Sequence, residues 1–405
     1  MEQRDTIIVG AGLVGATTAL ALAAHGVSST LIDRADLTAT RTQHFDGRVS
    51  AIASGSARMF RAIGLGAVLD HGCPIGEIRV TDNLSPLHLH FDAREADSGP
   101  LGWMVENHVL RAAVLDAIAA QPFIRLLAPA TIHEVDRDEP IVRVRTSAGE
   151  IRAPLLIAAD GKHSPLRRAA NIRLAEWAYP AAAIVTTLRH EQPHGNIAFE
   201  LFFTTGPFAI LPMLDDANGH HRSAIVWTIP AREAEGWLAL TPAALAREMA
   251  ARMGHFLGAL EIASPITAYP LLLQHAERLT DHRLALVGDS AHAIHPIAGQ
   301  GLNLGLRDVA ALAEVLVEAA RQGLDLGDTQ VLARYQRWRR LDILAITAAT
   351  DLLSRLFGLP GTIPAAARRV GLAAVDRLPR LKRAFMAEAR GEAGALPLLL
   401  TGELV

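Results

Sequence analysis

The stretch Thr6–Gly15, which reads TIIVGAGLVG, decides the fold. Thr6–Val9 consists of β-branched residues and predicts a short buried strand, and the run Gly10-Ala11-Gly12-Leu13-Val14-Gly15 follows it directly. In such a run, Gly10 permits a tight turn, Gly12 lets the backbone approach a pyrophosphate, and Gly15 lets the next helix lie close to the strand. The helix N-terminus offers free N–H groups and a partial positive charge to phosphate oxygens.

The residues after this loop complete a strand–helix–strand unit. Leu13–Ala24 has a helical pattern that Gly26 can end, and Ser29–Asp33 reads as a second strand with an acid at its end. Asp33 follows Gly15 by 33 − 15 = 18 residues, close to the spacing of about 20 for a carboxylate that binds a ribose hydroxyl. A glycine-rich turn in another α/β fold is the alternative, but the complete unit favours a dinucleotide site.

Two further motifs lie far along the chain. Asp160-Gly161 follows the apolar strand Leu155–Ala159, and the run Gly288–Asp308, GDSAHAIHPIAGQGLNLGLRD, follows the apolar strand Leu284–Val287. Gly288-Asp289-Ser290 could by itself be a strand end with a helix cap. A second, distant glycine-rich segment is more than a nicotinamide dehydrogenase needs, however, so the three motifs in this order favour a flavoprotein monooxygenase.

The bulk properties limit the other function classes. The chain has 405 residues, of which 50% are hydrophobic and 20% charged, and a mean hydropathy of +0.22, which predicts a large core and more than one domain. A net charge of −3 gives no reason to expect a nucleic-acid partner. The single cysteine, Cys73, fits a reducing compartment. No secretory signal or span of roughly 20 apolar residues is visible, so we expect a cytoplasmic protein.

The motif set resembles a known family. The order GAGLVG, DGRVSAIA, ADGKHS and LVGDSAHAIHPIAGQGLNLGLRD is similar to the class A flavoprotein aromatic hydroxylases. Among these, Asp46–Ile52 (DGRVSAI) and His295–Gly305 (HPIAGQGLNLG) resemble the ubiquinone-biosynthesis hydroxylases. The resemblance runs from Thr6 to about Gln336 and is most specific in residues 285–308.

The resemblance implies a cofactor-binding set for FAD. Asp33 would bind the adenosine ribose, Arg48 would reach the pyrophosphate, and Asp289 would bind the ribityl chain. Pro296 resembles a proline whose carbonyl lines the reaction site. The complete implied set is Gly10, Ala11, Gly12, Leu13, Val14, Gly15, Asp33, Arg48, Asp160, Gly161, Gly288, Asp289, Gly299, Gln300, Gly301, Leu302 and Asn303.

Physical chemistry supports the last part of this set. The isoalloxazine ring gains negative charge near N1 on reduction, and a glycine-rich loop that opens a helix offers it N–H groups and a positive dipole end. Gly299 and Gly301 would allow the backbone to come close. Asp160-Gly161 matches the motif linked to both FAD and the nicotinamide donor.

The expected fold class is α/β, with a Rossmann-like FAD-binding domain, an inserted antiparallel β-sheet domain that binds the substrate, and a helical C-terminal region. The expected FAD-binding domain comprises residues 1–76, 105–178 and 267–330, the substrate domain 77–104 and 179–266, and the C-terminal region 331–405. The strands predicted for the inserted sheet are Ala183–Leu188, Ile197–Phe203, Phe208–Met213 and Ser223–Ile229.

The function implied is hydroxylation of an apolar, prenylated phenol on the way to ubiquinone, with NADPH or NADH as electron donor and O2 as co-substrate. Such a substrate partitions into lipid, which suggests peripheral association with the inner membrane face or with a biosynthetic complex. The rivals are another flavin enzyme, a reductase or halogenase, and a non-catalytic flavin-bound component. No metal is expected, because His292 and His295 lack further ligands nearby. The aromatic residues Phe199, Phe202, Phe203 and Phe208 would either line the substrate site or form the core of the second domain.

Overall fold

The computed structural model describes residues 3–38, 45–95, 99–138, 140–293, 300–340, 342–343 and 361–405. Its first sheet has six strands, all parallel except for one edge strand. Long apolar runs form these strands because helices cover a parallel sheet and exclude water from both of its faces. In spatial order the strands are Thr280–Asp281, Leu284–Leu286, Leu155–Ala158, Thr6–Val9, Ser29–Ile32 and Ile124–Leu127.

The helix Leu13–Ala23, the N-terminal helix, lies in the core of this unit. It contacts both Asn107–Ala119 and the long helix Gln300–Arg321. Residues 15–23 of the N-terminal helix are all buried, which its small and apolar side chains permit. The first and third sequence motifs are thereby packed against each other.

A second, nine-stranded sheet forms the other half of the molecule. All of its pairings are antiparallel except the one between Ile197–Phe203 and Glu77–Asp82. The short strand Leu260–Ile262 pairs with the middle of the sheet. The other strands, in spatial order, are His292–Ala293, Thr267–Ala276, Leu174–His190, His221–Pro230, Gly206–Met213, Ile197–Phe203, Glu77–Asp82 and His88–Asp92.

These two sheets confirm the predicted α/β class with an antiparallel second sheet. The strand Ile197–Phe203 has the bounds expected from the sequence. Leu174–His190 extends the expected strand at residues 183–188 in both directions. The expected domain limit at residue 178 therefore falls within the strand Leu174–His190. The expected limit at residue 267 falls at the first residue of the strand Thr267–Ala276, which belongs to the second sheet.

The nine-stranded sheet has two different faces. Its outer face, which includes Leu201 and Trp227, packs against the helix Pro242–Met253. Its inner face, which includes Ala198 and Leu89, packs against a small sheet of three strands and against the helices Thr362–Arg377 and Pro379–Ala389. These strands are Val49–Ala53, Gly102–Glu106 and Cys73–Ile75. The small sheet thus lies on the inner face.

The remaining elements connect these layers. Leu399 and Leu400 of the C-terminal segment are fully buried, so this segment is packed into the core. Among the helices described, none is both long and apolar enough to cross a bilayer. A fourth sheet comprises Ile132–Asp136, Val142–Thr146 and Gly149–Ala153. The other helices are Ser54–Ala62, Pro165–Ala169, Ala234–Leu238, 329–340, Thr362–Arg377, Pro379–Ala389 and Leu398–Thr401, and single 3-10 turns cover Gly66–His71, Ala93–Glu95, Ala231–Glu233 and Gly288–Ser290.

Candidate functional site

Protein atoms pack closely around Gly10 and Gly15 of the glycine loop, whereas the space beside Gly12 is open. A Cβ atom at Gly10, where φ is +101°, would lie 2.3 Å from the carbonyl oxygen of Ala159. A Cβ atom at Gly15 would lie 1.9 Å from the carbonyl oxygen of Gly10. At Gly12, the N-cap of the N-terminal helix, a Cβ atom would meet nothing within 4 Å. The loop therefore fits tightly onto the strand, while the helix N-terminus at Gly12 has room for an anionic group.

Asp33 fixes the shape of this loop. Its Oδ2 accepts a hydrogen bond of 2.7 Å from the N–H of Ala11, and its Oδ1 accepts one of 2.8 Å from the N–H of Ala35. The side chain is half-buried at the end of its strand. An ionised carboxylate has about four acceptor positions, so Asp33 can still accept hydrogen bonds from ribose hydroxyls. The bond to Ala11 was not foreseen from the sequence.

Val14 joins the first motif to the third. A Cβ atom at Gly288, where φ is +61°, would lie 3.0 Å from Cγ1 of Val14. A Cβ atom at Gly305 on the long helix would lie 2.9 Å from Cγ2 of the same valine. Both glycines allow the long helix and the Gly288 turn to approach the loop. Leu13 is half-buried beside Val14, and both contact the core.

Two side chains join the second motif to the third. Oγ of Ser290 lies 2.7 Å from the carbonyl oxygen of Ala158 and donates to it. The buried guanidinium of Arg167 donates to the carbonyl of Ser290 at 2.8 Å and to that of Lys162 at 2.9 Å. Burial lowers the pKa of Arg167. Sequence reasoning missed Arg167, although an arginine seven residues after Asp160 (167 − 160) lies on the next short helix.

Asp160 has one carboxylate oxygen that no described residue satisfies. Its Oδ2 accepts a bond of 3.3 Å from the N–H of Leu166, whereas its Oδ1 is buried and has no hydrogen-bond partner. Burial raises the pKa of this carboxyl group. Gly161, at φ +82°, turns the chain away with open space around it. A buried oxygen without a partner is expected where a ligand supplies the donor.

Asp289 also has no hydrogen-bond or ion-pair partner among the residues that the structure describes. Its side chain keeps solvent exposure, and no described residue donates a hydrogen bond to it. Protein atoms nonetheless surround it closely enough that burial raises its pKa, while His292 and Lys162 act in the opposite direction. An exposed carboxylate in a recess is suited to accepting hydrogen bonds from ligand hydroxyls.

The start of the long helix is held in place by the side chain of Asn303. Its Oδ1 accepts hydrogen bonds of 2.9 Å from the N–H of Ala53 and from Oγ of Ser56. Its Nδ2 donates to the carbonyl of Ala51 at 2.8 Å. Asn303 therefore ties the small sheet to the helix N-terminus.

The other predicted residues of this segment divide into two groups. Gln300 and Gly301 form the first turn of the long helix, and Leu302 is half-buried against the core. A Cβ atom at Gly301 would meet open space. Pro296 and Gly299, as well as His295, lie outside the described residues.

Arg48 is held by a neighbouring acid. Its guanidinium donates to Oδ2 of Asp46 at 2.7 Å, and half of its side-chain surface is exposed. Arg111 lies 3.5 Å from the same oxygen. In the conformation described, the Arg48 side chain thus makes an ion pair with Asp46.

A buried ion network supports the third motif. Oδ2 of Asp308 lies 2.6 Å from Nε2 of His292 and accepts the N–H of Gly288 at 2.9 Å. Its Oδ1 accepts a bond of 2.7 Å from Nε of Arg339. Burial alone raises the pKa of Asp308, but His292 and Arg339 outweigh it and hold that pKa below its usual value. The ring nitrogen Nε2 of His292 is therefore engaged with a carboxylate.

The Asp308 network was not assigned from the sequence. Asp308 ends the third motif, and an acid among the apolar residues of an amphipathic helix was the available signal. Arg339 also pairs with Asp342, which receives two hydrogen bonds from Arg307 at 2.9 and 3.0 Å. The network thus connects the Gly288 turn, the long helix and the helix 329–340.

These features fit FAD. The open helix end at Gly12, the unsatisfied oxygen of Asp160 and the unpartnered carboxylate of Asp289 lie on three motifs that the fold joins. They provide, in turn, an anion site and two hydrogen-bond acceptors for hydroxyl or N–H groups. A phosphate-bearing cofactor with many hydroxyl groups satisfies all three.

Comparisons with known proteins agree with this fit. A family model described as FAD binding domain matches residues 3–350. Ubiquinone hydroxylase UbiL of Rhodospirillum rubrum is 46% identical over 96% of this chain and 89% of its own length. The 3-demethoxyubiquinol 3-hydroxylase of Escherichia coli is 34% identical over 96% of this chain and 99% of its own.

Solved structures share the fold. The p-nitrophenol 4-monooxygenase PnpA of Pseudomonas putida DLL-E4 is 18% identical and superposes with a TM-score of 0.79 over 98% of this chain and 100% of its own. A mutant of PqsL from P. aeruginosa is 25% identical, with a TM-score of 0.77 over 92% and 99% of the two chains. With the matched domain and the relatives, these findings show that the chain belongs to the FAD-dependent aromatic hydroxylases of ubiquinone biosynthesis, which use NAD(P)H and O2.

Proposed function

We propose that this protein hydroxylates the aromatic ring of a polyprenylated phenol. The observation that carries the proposal is the meeting of three cofactor motifs with the N-terminus of the long helix, which Asn303 ties to the small sheet on the inner face. The names of the relatives, ubiquinone hydroxylase and 3-demethoxyubiquinol 3-hydroxylase, support a substrate of this class.

The proposed cofactor contacts follow from the site. The backbone at Gly12 would bind the pyrophosphate, Asp33 the adenosine ribose and Asp289 the ribityl chain. The first turn of the long helix, together with Gly299, would direct N–H groups and its positive dipole end toward the pyrimidine side of the flavin. Bound FAD would supply the redox chemistry that links NADPH or NADH, O2 and the ring.

The other assignments of the sequence analysis remain part of the proposal. Oδ1 of Asp160 would accept a hydrogen bond from the cofactor or from the nicotinamide donor. Arg48 would have to leave Asp46 to reach the pyrophosphate. The carbonyl of Pro296, in the segment before the long helix, would line the reaction site.

The inner face of the nine-stranded sheet is the proposed substrate surface. Its side chains include Val185, Val226 and Leu211, which are partly buried aliphatic residues. Burial of apolar surface contributes about 25 cal/mol per Å², so a long prenyl tail would dominate affinity.

The aromatic residues mostly lie elsewhere. Phe208 is buried in the outer-face cluster, and Phe199 and Phe203 pack against that cluster. Phe199 stacks on Phe256 with ring centroids 4.7 Å apart. Phe202 alternates with them and lies on the inner face. Three of these four aromatic residues thus belong to the core of the second sheet rather than to a wall of the substrate site.

The location proposed is cytoplasmic, with peripheral association at the inner membrane face. The support is chemical, since a prenylated substrate partitions into lipid and has to be taken from it. Association with other enzymes of the same biosynthesis would serve the same purpose. Flotation of the purified protein with liposomes that contain the substrate measures the membrane part of this proposal.

The decisive experiment compares phenols with and without a prenyl chain. We expect the purified protein to release non-covalent FAD on acid precipitation, which an absorbance spectrum detects. We also expect prenylated phenols to trigger NAD(P)H oxidation and to yield a hydroxylated product. Equal turnover of p-hydroxybenzoate would reject the prenylated substrate, and NAD(P)H oxidation without product would favour a reductase. Precursor profiling in a strain that lacks the protein identifies the ring position.

A further inference from the structure

Glu200 is a buried acid on the inner face, in the strand Ile197–Phe203. On the neighbouring strands, Ala209 and Val80 lie directly opposite Glu200. The same row continues through Val226 and Val185. Glu200 is the only ionisable side chain among these five residues, and it is 7% exposed. An aliphatic residue would suit the row better if packing were the sole requirement.

The carboxyl group of Glu200 has no described partner. No described residue donates a hydrogen bond to it or forms an ion pair with it. Burial raises the pKa of Glu200 to about 8. The buried acid Asp308, in contrast, receives three hydrogen bonds. Buried acids normally have hydrogen-bond or ion-pair partners, as Asp308 does. A buried acid without such a partner points to a partner outside the chain.

The position of Glu200 relates it to the cofactor site. Val80 and Ala198, which are its neighbours on the inner face, contact the cluster that includes the small sheet. That sheet is tied to the start of the long helix through Asn303. Glu200 therefore lies on the face that borders the small sheet, and Asn303 ties this sheet to the proposed cofactor contacts.

We infer that Glu200 binds the hydroxyl group of the phenol substrate and accepts its proton during hydroxylation. This inference rests on the proposed function. The phenol O–H bond breaks, the proton moves to an Oε atom of Glu200, and the oxygen's electron pair enters the ring. Two electrons from NAD(P)H first reduce O2 to the peroxide level, and a ring carbon uses the electron pair from the phenol oxygen to form a bond to one of the two oxygen atoms. The O–O bond breaks, and its electron pair leaves with the second oxygen atom, which ends as water. The ring then loses its proton at that carbon, and Glu200 returns its own proton to the phenol oxygen.

The acidity of the two groups suits this transfer. A phenol has a pKa of about 10 and is neutral at physiological pH. A base is most effective when its pKa is close to the working pH, and Glu200, at about 8, meets this condition. A carboxyl group at its ordinary value of 4.5 would be a much weaker base.

Most other ionisable groups on the inner face, or on elements packed against it, form ion pairs. Asp82 is paired with arginines of the C-terminal region, Glu106 is paired with Arg222, and burial raises the pKa of Cys73 to about 12. The groups concerned include Asp82, Arg368, Arg369, Asp376, Lys382, Glu106, Arg222, Cys73 and Tyr269. None of them acts on the pKa of Glu200, for which burial is the one cause.

The test is Glu200→Gln in the FAD-loaded enzyme, assayed with a prenylated phenol. We expect hydroxylation to fall by about 10²-fold or more, the usual contribution of a positioned base. The wild-type rate should rise as pH increases through about 8, where the carboxyl group ionises, and the variant should lack this rise. Glu200→Asp should keep part of the rate and the rise. The matched control Glu261→Gln, at an exposed position of the short strand Leu260–Ile262, should leave the rate unchanged.

Stability separates this role from a structural one. The folded-state pKa of Glu200 is raised. Ionisation of Glu200 therefore lowers the free energy of unfolding as the pH rises from 4.5, the ordinary pKa of a glutamate, toward 8. At pH 9, Glu200→Gln should therefore melt at the same temperature as the wild type or higher. A destabilised variant, or a variant with at least half the wild-type rate and the same pH profile, overturns the inference. If the wild type makes no hydroxylated product, the proposed function fails instead.

Discussion

Replacing Asn303 by alanine tests the link between the small sheet and the start of the long helix. Among the hydrogen bonds that the change removes are those from the Ala53 N–H, from Ser56 Oγ and to the Ala51 carbonyl. The Ser56 hydroxyl can rotate to another acceptor, but the two backbone groups cannot. Leaving a buried polar group unsatisfied costs about 1–3 kcal/mol, so the variant should lose roughly 2–6 kcal/mol of unfolding free energy.

Urea unfolding of apoprotein measures this loss, and titration with FAD measures its effect on the site. Because the helix start would be held less firmly, we expect weaker FAD binding in the variant as well. Asn107→Ala is the matched control, since Asn107 accepts a single bond of 2.7 Å from Ser50 on the same small sheet. It should cost about 1 kcal/mol or less. An Asn303→Ala variant with the stability and FAD affinity of the control would refute the reasoning.

Three further changes probe the site. Gly15→Ala should prevent correct folding, because its Cβ atom would lie 1.9 Å from the Gly10 carbonyl oxygen. Gly12→Ala should fold normally and bind FAD more weakly, since a Cβ atom there meets no protein atom within 4 Å. Circular dichroism and FAD titration distinguish the two variants, and normal FAD affinity in Gly12→Ala would contradict the phosphate assignment. Asp308→Asn should lose about 3–5 kcal/mol in urea unfolding because it breaks buried ion pairs, and an unchanged transition would contradict this. Asp289→Ala should weaken FAD binding by roughly tenfold to a hundredfold, and unchanged affinity would remove Asp289 from the site.

The cofactor motifs could be predicted from the sequence because their chemistry is local. The tight turn at Gly10, the open helix end at Gly12 and the acid at the end of the next strand all depend on residues close together in the chain. Hydrophobic periodicity is local as well, and it predicted the strand Ile197–Phe203 with the bounds observed. The order of the three motifs then indicated the family.

The partners of the buried polar side chains depended on the tertiary structure. Asn303 bonds to residues about 250 positions away in the chain, and Arg167 bonds to Ser290, 123 positions away. A local pattern carries no information on such contacts, since chain folding alone brings the two partners together.

The same holds for the two faces of the inserted sheet. Alternation showed that Phe199 and Glu200 point to opposite sides, but not which side lies against the small sheet and which against the helix Pro242–Met253. That choice placed three phenylalanines in a core and put Glu200 on the inner face. The amino-acid sequence by itself thus determined the cofactor motifs and the family, and only the packing of distant segments decided which side chains face the site.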